Sequence, residues 1–215
     1  MKKIFFRSPF ILFFMGLALF TIETHAEILP DSIPKGWRAG ATNPSDIVIG
    51  TDTMVRHIGK ASGFMQRALA LNPSTGNATM IQSIAADAFR NKRVKLTVYA
   101  RSKEVETGAY FYFKVDGPDT ELAFANTAVE LIEETTDWTL YHITLDVPEA
   151  AINMDFGVVM LPGQGTLWMD DFNLEVVDKS IPSDAWVARG KLRNPVTKKN
   201  YQPNAKAMNL GFEDK

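Results

Sequence analysis

The stretch Gly165–Val177, GTLWMDDFNLEVV, has the two-residue alternation that is typical of a β-strand. The even-numbered side chains are mainly apolar and the odd-numbered ones mainly polar: Trp168, Phe172, Leu174 and Val176 against Met169, Asp171, Asn173 and Glu175. The apolar set is predicted to face a core. Asp170 belongs to that set, and burying a carboxylate is costly unless it has a partner. The strand therefore predicts a specific partner for Asp170.

The same alternation recurs along the chain. It is clearest in RVKLTVYARS from Arg93, AYFYFKVDG from Ala109 and TLYHITLDV from Thr139. MDFGVVML precedes the stretch Gly165–Val177 and is joined to it by PGQG, which is a hairpin signal. Earlier strands are predicted at DIVIGTD, ASGFMQRALA and ATMIQSIAA, and nothing indicates a long helix. Many short strands separated by turn residues predict an all-β sandwich.

The N-terminal residues have the pattern of a secretory signal peptide. Basic residues at positions 2, 3 and 7 precede an apolar run over 11–20, and Thr24-His25-Ala26 offers a cleavage site. Residues 1–26 are therefore predicted to be a signal peptide, and the mature protein to be periplasmic or secreted by a bacterium. The alternative is an uncleaved anchor, although the apolar run is shorter than the roughly 20 residues that span a bilayer.

Composition limits the classes of function. The chain has 215 residues, a formal net charge of −2 and no cysteine, so it is not predicted to bind nucleic acid and must be held together by packing or by a bound metal. Residues 27–178 are predicted to form one sandwich domain. Residues 179–206 are polar and are predicted to be an extended surface tail. Residues 207–215 are predicted to be a terminal strand that docks on the sandwich; the alternatives are a disordered tail or the stub of a second domain.

Several segments, in order, resemble a bacterial domain of the galactose-binding-like superfamily. They include GWRAGATNPSDIVIGTD, GKAS, MIQSIAADAFRNKRVKLTVYARS, TTDWTLYHITLDVP and FGVVMLPGQGTLWMDDFNLEVV. This domain resembles jelly-roll carbohydrate-binding modules and occurs alone after a signal peptide or attached to AraC-type regulators and peptidases. The resemblance covers residues 36–177 and implies an all-β jelly-roll β-sandwich of two antiparallel sheets. It does not fix the ligand.

The resemblance also bears on the C-terminus and on Asp170. Such domains often begin with an N-x-x-F-E strand, which is missing here before Trp37, whereas NLGFED occurs at 209–214. The resemblance therefore implies that the chain end fills the first-strand position. It further implies a structural calcium held by Asp170, Glu213 and the backbone around 59–62, since calcium prefers oxygen ligands. The alternative is that Asp170 caps backbone N–H groups or pairs with an arginine.

Polar and aromatic side chains that point away from the core provide the candidate ligand site. A sugar needs aromatic rings for its C–H faces and hydrogen-bonding groups for its hydroxyls. If the strands share one sheet, the predicted ligand-binding face contains Tyr99, Tyr112, Lys114, Asp116 and His142. By resemblance, Gln82 and Asn126 join it, although this chain has Phe124-Ala125-Asn126 where the family commonly has F-D-N. The alternative is an ordinary solvated sheet face.

Catalytic motifs do not occur in the sequence. G-x-S-x-G, H-E-x-x-H, Walker and G-x-G-x-x-G patterns are absent, and adjacent carboxylates on a strand point to opposite faces. Trp37, Trp138 and Trp168 are predicted to lie in the core. The sequence thus predicts a non-catalytic exported module that binds carbohydrate, such as an envelope glycan, with no nucleic-acid partner and no stable membrane insertion. The alternative is a structural or protein–protein interaction module.

Overall fold

The computed structural model describes residues 33–67, 76–185 and 203–214. The predicted signal peptide lies outside the described residues. Within these ranges the strands are, in chain order, Arg38–Ala41 (β1), Val48–Asp52 (β2), Ser62–Arg67 (β3), Ala78–Ala85 (β4), Lys92–Asp116 (β5), Glu121–Asn126 (β6), Ile132–Val147 (β7), Asn153–Met160 (β8) and Gly165–Val177 (β9). Two short 3₁₀ helices occupy Pro44–Asp46 and Asp87–Phe89. Among the described residues, no helix has the length and apolarity required to cross a bilayer.

The long strand β5 belongs to two sheets. Its first half, from Lys92, pairs with β7 and β9, and its second half, from Ala109, pairs with β8 and β6. Three register shifts between Ala100 and Ala109 mark the crossing. Sheet one therefore has the order β2-β3-β9-β5-β7 and sheet two the order β1-β4-β8-β5-β6. All these pairings are antiparallel, and the predicted jelly-roll β-sandwich is confirmed.

The core lies between the two sheets. Val94, Leu96 and Val98 of β5 are buried on the inner face of sheet one, and Phe111 and Phe113 on that of sheet two. Rings from the two layers meet directly, since the centroids of Phe172 in β9 and Phe111 in β5 lie 5.8 Å apart. The alternation in β5 therefore predicts its inner face correctly, because a two-residue period assigns one set of side chains to the core.

A bulge in β9 corrects the interpretation of the opening stretch. Tyr99 pairs with Asp170 and Thr97 with Asn173, so Asp171 and Phe172 share one position opposite β5. Asp171 has a φ of 53°, in the left-handed region. The extra residue reverses the faces: the buried residues are Leu167 and Met169 before it and Phe172 after it. Trp168 and Asp170 consequently lie on the same face as Tyr99, which points away from the core.

The tryptophans differ in burial. Trp37 is buried in the core and is packed against Phe156, Phe172 and Phe212, as predicted. Trp138 and Trp168 are only partly buried, which corrects the prediction for them. Trp168 donates from Nε1 to Oδ2 of Asp52 at 2.8 Å, on the outer face of sheet one. An indole with a polar partner on this face gains from partial burial while it keeps its hydrogen bond.

Residues 203–214, here called the terminal segment, pack against the sandwich. Phe212 is 1% exposed, and its ring centroid lies 5.0 Å from that of Trp37. Asn204 exchanges backbone hydrogen bonds with Ser83 and Ala85 of β4. The remainder consists of turns and irregular backbone. This corrects the prediction of a terminal strand over 207–215, because the segment is held by side chains and single hydrogen bonds and not by a ladder.

Candidate functional site

The crossing of β5 divides the predicted ligand-binding face. Tyr99 and His142 lie on the outer face of sheet one, where Thr97 pairs with His142. Tyr112 and Lys114 lie on the outer face of sheet two. The prediction of one continuous platform is wrong, because it required these strands to share one sheet. The two faces lie on opposite sides of the sandwich.

On sheet two, Lys114 forms the centre of an ionic network. Its Nζ lies 2.8 Å from Oδ2 of Asp116 and 3.3 Å from Oδ2 of Asp155. Ser83 Oγ donates to Asp155 Oδ1, and Arg38 Nη2 donates to Ser83 Oγ at 2.8 Å. This row of polar groups therefore crosses four strands, from β1 to β5.

Burial and charge act together on this face. Burial raises the pKa of the Asp116 carboxyl, while the hydrogen bond from Lys114 opposes the change. Burial opposes the charge of Lys114, but its bond to Asp116 and the nearby Asp155 outweigh this and raise the pKa of Lys114. Burial, together with Asp155, raises the pKa of the Tyr112 hydroxyl well above its usual range. Tyr112 therefore stays neutral and can donate a hydrogen bond over the whole physiological pH range.

Two predicted ligand residues are fully buried. Gln82 lies on the core side of β4, with its amide Nε2 donating to Met208 O at 2.8 Å and its Oε1 accepting from Met208 N at 2.9 Å. It is 0% exposed, as is Asp116. The prediction that Gln82 and Asp116 belong to an exposed binding face is therefore wrong. Gln82 anchors the terminal segment, and Asp116 is covered within the ionic network.

A cleft of about 590 Å³ lies where the edges of the two sheets meet, between β6 and β7. We call it the edge cleft. It brings together Asn126 and His142, two of the predicted ligand residues. The lining residues come from the end of β6, from the β6–β7 connection, from β7 and from the chain after β9: Asn126, Thr127, Val129, Glu130, Leu131, Thr139, Leu140, Tyr141, His142, Ile143 and Asp184. Its volume falls in the range of about 300–1,000 Å³ that is usual for small-molecule sites.

The free edge of β7 shapes the cleft. Tyr141 and Ile143 belong to the inward-facing set of β7, and Leu140 and His142 to the outward-facing set. Asp184 flanks the edge: its N–H donates to Thr144 O and its Oδ2 accepts from Thr144 N, both at 2.8 Å. The cleft therefore has a packed strand as one wall, which is fixed before any ligand arrives.

The cleft combines apolar and hydrogen-bonding groups. Leu140 and Val129 are exposed, at 48% and 83%. Asn126 uses Oδ1 to accept the N–H of Ala128 at 3.0 Å, which fixes its side chain at the end of β6. Burial, with a smaller contribution from Glu130, raises the pKa of the Tyr141 hydroxyl. Hydroxyl groups can exchange hydrogen bonds with the amide of Asn126 and the ring of His142, and they can donate to the carboxylates of Glu130 and Asp184.

Sequence reasoning missed most of the cleft. Thr127, Glu130 and Asp184 lie in connections, where residue periodicity carries no information on which side chains meet. Only Asn126 and His142, at a strand end and in an edge strand, had been singled out. A search for polar residues that flank the edge strands of a sandwich could have found Glu130.

Asp170 lies beneath the loop between β2 and β3. It is 0% exposed, and its Oδ2 accepts the N–H groups of His57 at 2.9 Å and Ile58 at 3.1 Å. Its Oδ1 accepts the N–H of Asp171 at 2.7 Å. Burial raises the pKa of the Asp170 carboxyl, and the three backbone hydrogen bonds oppose the rise. The partner of Asp170 is thus a set of backbone N–H groups, the alternative left open by the sequence.

Glu213 binds the same loop. Its Oε1 accepts the N–H of Lys60 at 2.8 Å. The described partners of both carboxylates are N–H donors, whereas calcium requires oxygen ligands directed at one point. Among the described residues, no group of three or more Asp, Glu, His or Cys side chains is placed to hold a metal. As arranged, these residues do not fit a shared calcium, which stays an untested prediction.

The same loop carries a ring cluster that sequence reasoning did not identify. The rings of His57 and Tyr99 stack with centroids 3.8 Å apart, and Trp138 lies 5.5 Å from His57. Tyr99 is therefore covered by His57, and this reduces its availability to a ligand on the face of sheet one. The only sequence signal for this contact is the Asp170 carboxylate that fixes the loop above the strand.

Comparison with known proteins gives partial matches. No protein-family model matches the chain. A curated relative, the uncharacterized HTH-type transcriptional regulator YbfP of Bacillus subtilis (strain 168), is 34% identical over 181 residues, which cover 84% of this chain and 57% of the relative. The chain therefore spans little more than half the length of that relative.

The solved structures that match this chain are distant from it in sequence. The enzymatically active domain of tailspike protein 4 from bacteriophage CBA120 matches with a TM-score of 0.51 and 13% identity, over 66% of this chain and 20% of that chain. The module TmCBM61, in complex with β-1,4-galactotriose, matches with a TM-score of 0.47 and 14% identity, over 68% and 92%. A protein of Bacteroides thetaiotaomicron VPI-5482 that is named a putative sugar binding protein matches with a TM-score of 0.48 and 14% identity. The match covers 66% of this chain and 87% of that chain. At 13% identity, the likeness to the tailspike domain shows the fold alone.

Proposed function

We propose that this chain is a non-catalytic module that binds carbohydrate, and that the ligand occupies the edge cleft. The observation that carries the proposal is the composition of the cleft. The carboxylate of Glu130, the amide of Asn126 and the ring of His142 lie in one cavity with apolar side chains of β7. A sugar presents hydroxyls around its rim and C–H groups on its faces, so it needs both kinds of contact at once.

The absence of catalytic motifs from the sequence supports binding over turnover. A glycosidase needs two carboxyl groups on opposite sides of the scissile bond, one of them with a raised pKa. The adjacent carboxylates in the sequence do not form such a pair, because neighbouring residues of a strand point to opposite faces. The relative that the chain matches in part is named as a transcriptional regulator, and this name is compatible with a binding role. We also propose that the protein is exported, because residues 1–26 have the pattern of a signal peptide.

The variants His142→Ala and Asn126→Asp test the site. Each is expected to weaken oligosaccharide binding about tenfold, which corresponds to about 1.4 kcal/mol. Asn126→Asp keeps the oxygen that accepts the Ala128 N–H, but it replaces the amide donor by a second acceptor oxygen and adds a negative charge. Oligosaccharides selected on a glycan array would be titrated calorimetrically into each variant.

Glu133→Gln is the matched control, because Glu133 is an exposed residue of the same strand outside the cleft. It should bind like the wild type. If no saccharide binds the wild type, the proposed function is wrong. If a saccharide binds but both cleft variants retain full affinity, the location is wrong. In that case the outer face of sheet two, around Tyr112 and Lys114, becomes the site to test.

A further inference from the structure

The terminal segment occupies a slot in the rest of the protein, which we call the terminal slot. Polar contacts fix it along its length. Trp37 Nε1 donates to Asn209 O at 3.0 Å, and the backbone N–H of Phe172 donates to Leu210 O at 3.0 Å. Gln82 binds Met208 through both ends of its amide, and Lys60 N–H binds the Glu213 carboxylate. Each contact joins residues more than 35 positions apart in the sequence.

Glycines give the slot its shape. A β-carbon at Gly63 would lie 2.7 Å from the ring of Phe212, and one at Gly36 would lie 2.5 Å from Cγ of Met208. A β-carbon at Gly59 would overlap the Glu213 carboxylate. A larger residue at any of these three positions would force the side chain of the segment that it meets to move. The slot is therefore complementary to the sequence that fills it, at the level of single side chains.

The slot recognises the segment as it would recognise a peptide. Backbone atoms of Met208, Asn209 and Leu210 receive hydrogen bonds, while the side chain of Phe212 enters a pocket with Trp37 and Phe172. Backbone bonds provide affinity and pockets for single side chains provide specificity, as in other peptide sites. None of these contacts requires a covalent connection between the segment and the slot.

We propose that the terminal slot is a peptide-recognition site for the sequence Met-Asn-Leu-Gly-Phe-Glu, and that it accepts this segment from a second copy of the chain. Because the segment belongs to the same chain as its slot, its binding is intramolecular, and the covalent connection raises its effective concentration above that of a segment on a separate copy. In the wild type, the chain's own segment therefore occupies its slot. Exchange between copies becomes measurable when one segment is weakened.

Two full-length variants test the proposal. Phe212→Ala weakens the segment and leaves the slot intact, whereas Gly63→Ala obstructs the slot and leaves the segment intact. Each variant alone is expected to be monomeric in native mass spectrometry. In an equal mixture we expect a heterodimer, in which the Gly63→Ala chain donates its segment to the Phe212→Ala chain. A mixture that remains monomeric contradicts exchange between copies.

A labelled peptide provides an independent measurement of recognition. The synthetic peptide of residues 203–215 should bind the full-length Phe212→Ala chain at least tenfold more tightly than the wild type, whose slot is occupied. The same peptide with Phe212→Ala should not bind. If Phe212→Ala fails to give a cooperative melt, the full-length Phe212→Leu chain takes its place with the same expectations. Equal affinity of the peptide for wild type and variant would overturn the proposal.

Discussion

Deletion of residues 208–215 is expected to lower the free energy of unfolding by about 4 kcal/mol or more. Removing Phe212 alone takes a fully buried ring out of contact with Trp37 and Phe172, and loss of such a ring costs about 3–5 kcal/mol. The deletion also leaves the amide of Gln82 and the indole N–H of Trp37 without their described partners. Buried polar groups that lose their partners add about 1–3 kcal/mol each.

Urea denaturation of the full-length and shortened chains would measure this loss. Removal of Lys215 alone is the matched control, because it leaves every described contact of the terminal segment in place. The control should unfold at the wild-type midpoint, and the deletion at a much lower urea concentration. Equal midpoints for the deletion and the wild type would mean that the terminal segment contributes nothing to stability.

Replacement of Asp170 by alanine is expected to cost about 3 kcal/mol or more. The change removes the acceptor of three backbone N–H groups, those of His57, Ile58 and Asp171. Water cannot replace the carboxylate without opening the loop, since the site is buried. Asp170→Asn should lie between the alanine variant and the wild type, because it keeps one acceptor oxygen but turns an amide donor toward another donor.

Thermal melts with and without a chelator would separate this account from the calcium prediction. If N–H groups alone hold Asp170, EDTA leaves the midpoint of the wild type unchanged. If calcium is shared with Glu213, EDTA lowers the wild-type midpoint and leaves those of Asp170→Ala and Glu213→Ala unchanged, because calcium stabilises only the state that binds it. A destabilisation below about 1 kcal/mol for Asp170→Ala would contradict both accounts.

The fold was predictable from the sequence because alternation persists through most strands. In β5, the apolar sets that contain Val94 and Phe111 both face the core as their period predicts. What the pattern cannot indicate is the crossing between sheets. The register shifts after Ala100 move Tyr112 to the other side of the sandwich from Tyr99. Alternation within a strand carries no information about the sheet to which each half belongs.

The role of Asp170 was only partly predictable. The sequence correctly indicates a carboxylate that needs a partner. The predicted direction of the Asp170 side chain is wrong, because the bulge at Asp171 adds one residue to β9. The carboxylate therefore points outward and is buried by a loop, not by the core. Its partners are backbone groups of His57 and Ile58, which have no residue-type signature in a sequence.

The candidate site was less predictable than the fold. Asn126 and His142 were selected as parts of a sheet face, yet they meet in a cleft at the sheet edges, together with Asp184 from the chain after β9. This meeting depends on how the two sheets are stacked and on where the connections run. The distances between these side chains are set by packing between the two sheets and by the paths of the connections, and not by any local sequence pattern.

A nitrogen-15 NMR titration tests carbohydrate binding in the edge cleft most directly. The labelled full-length protein would be titrated with an oligosaccharide that binds on a glycan array. We expect the largest changes in amide chemical shift at residues 126–131 and 139–143, and we expect them to saturate with added ligand. Saturable changes confined to the outer face of sheet two around Tyr112 and Lys114, or no changes with any saccharide, would contradict this expectation.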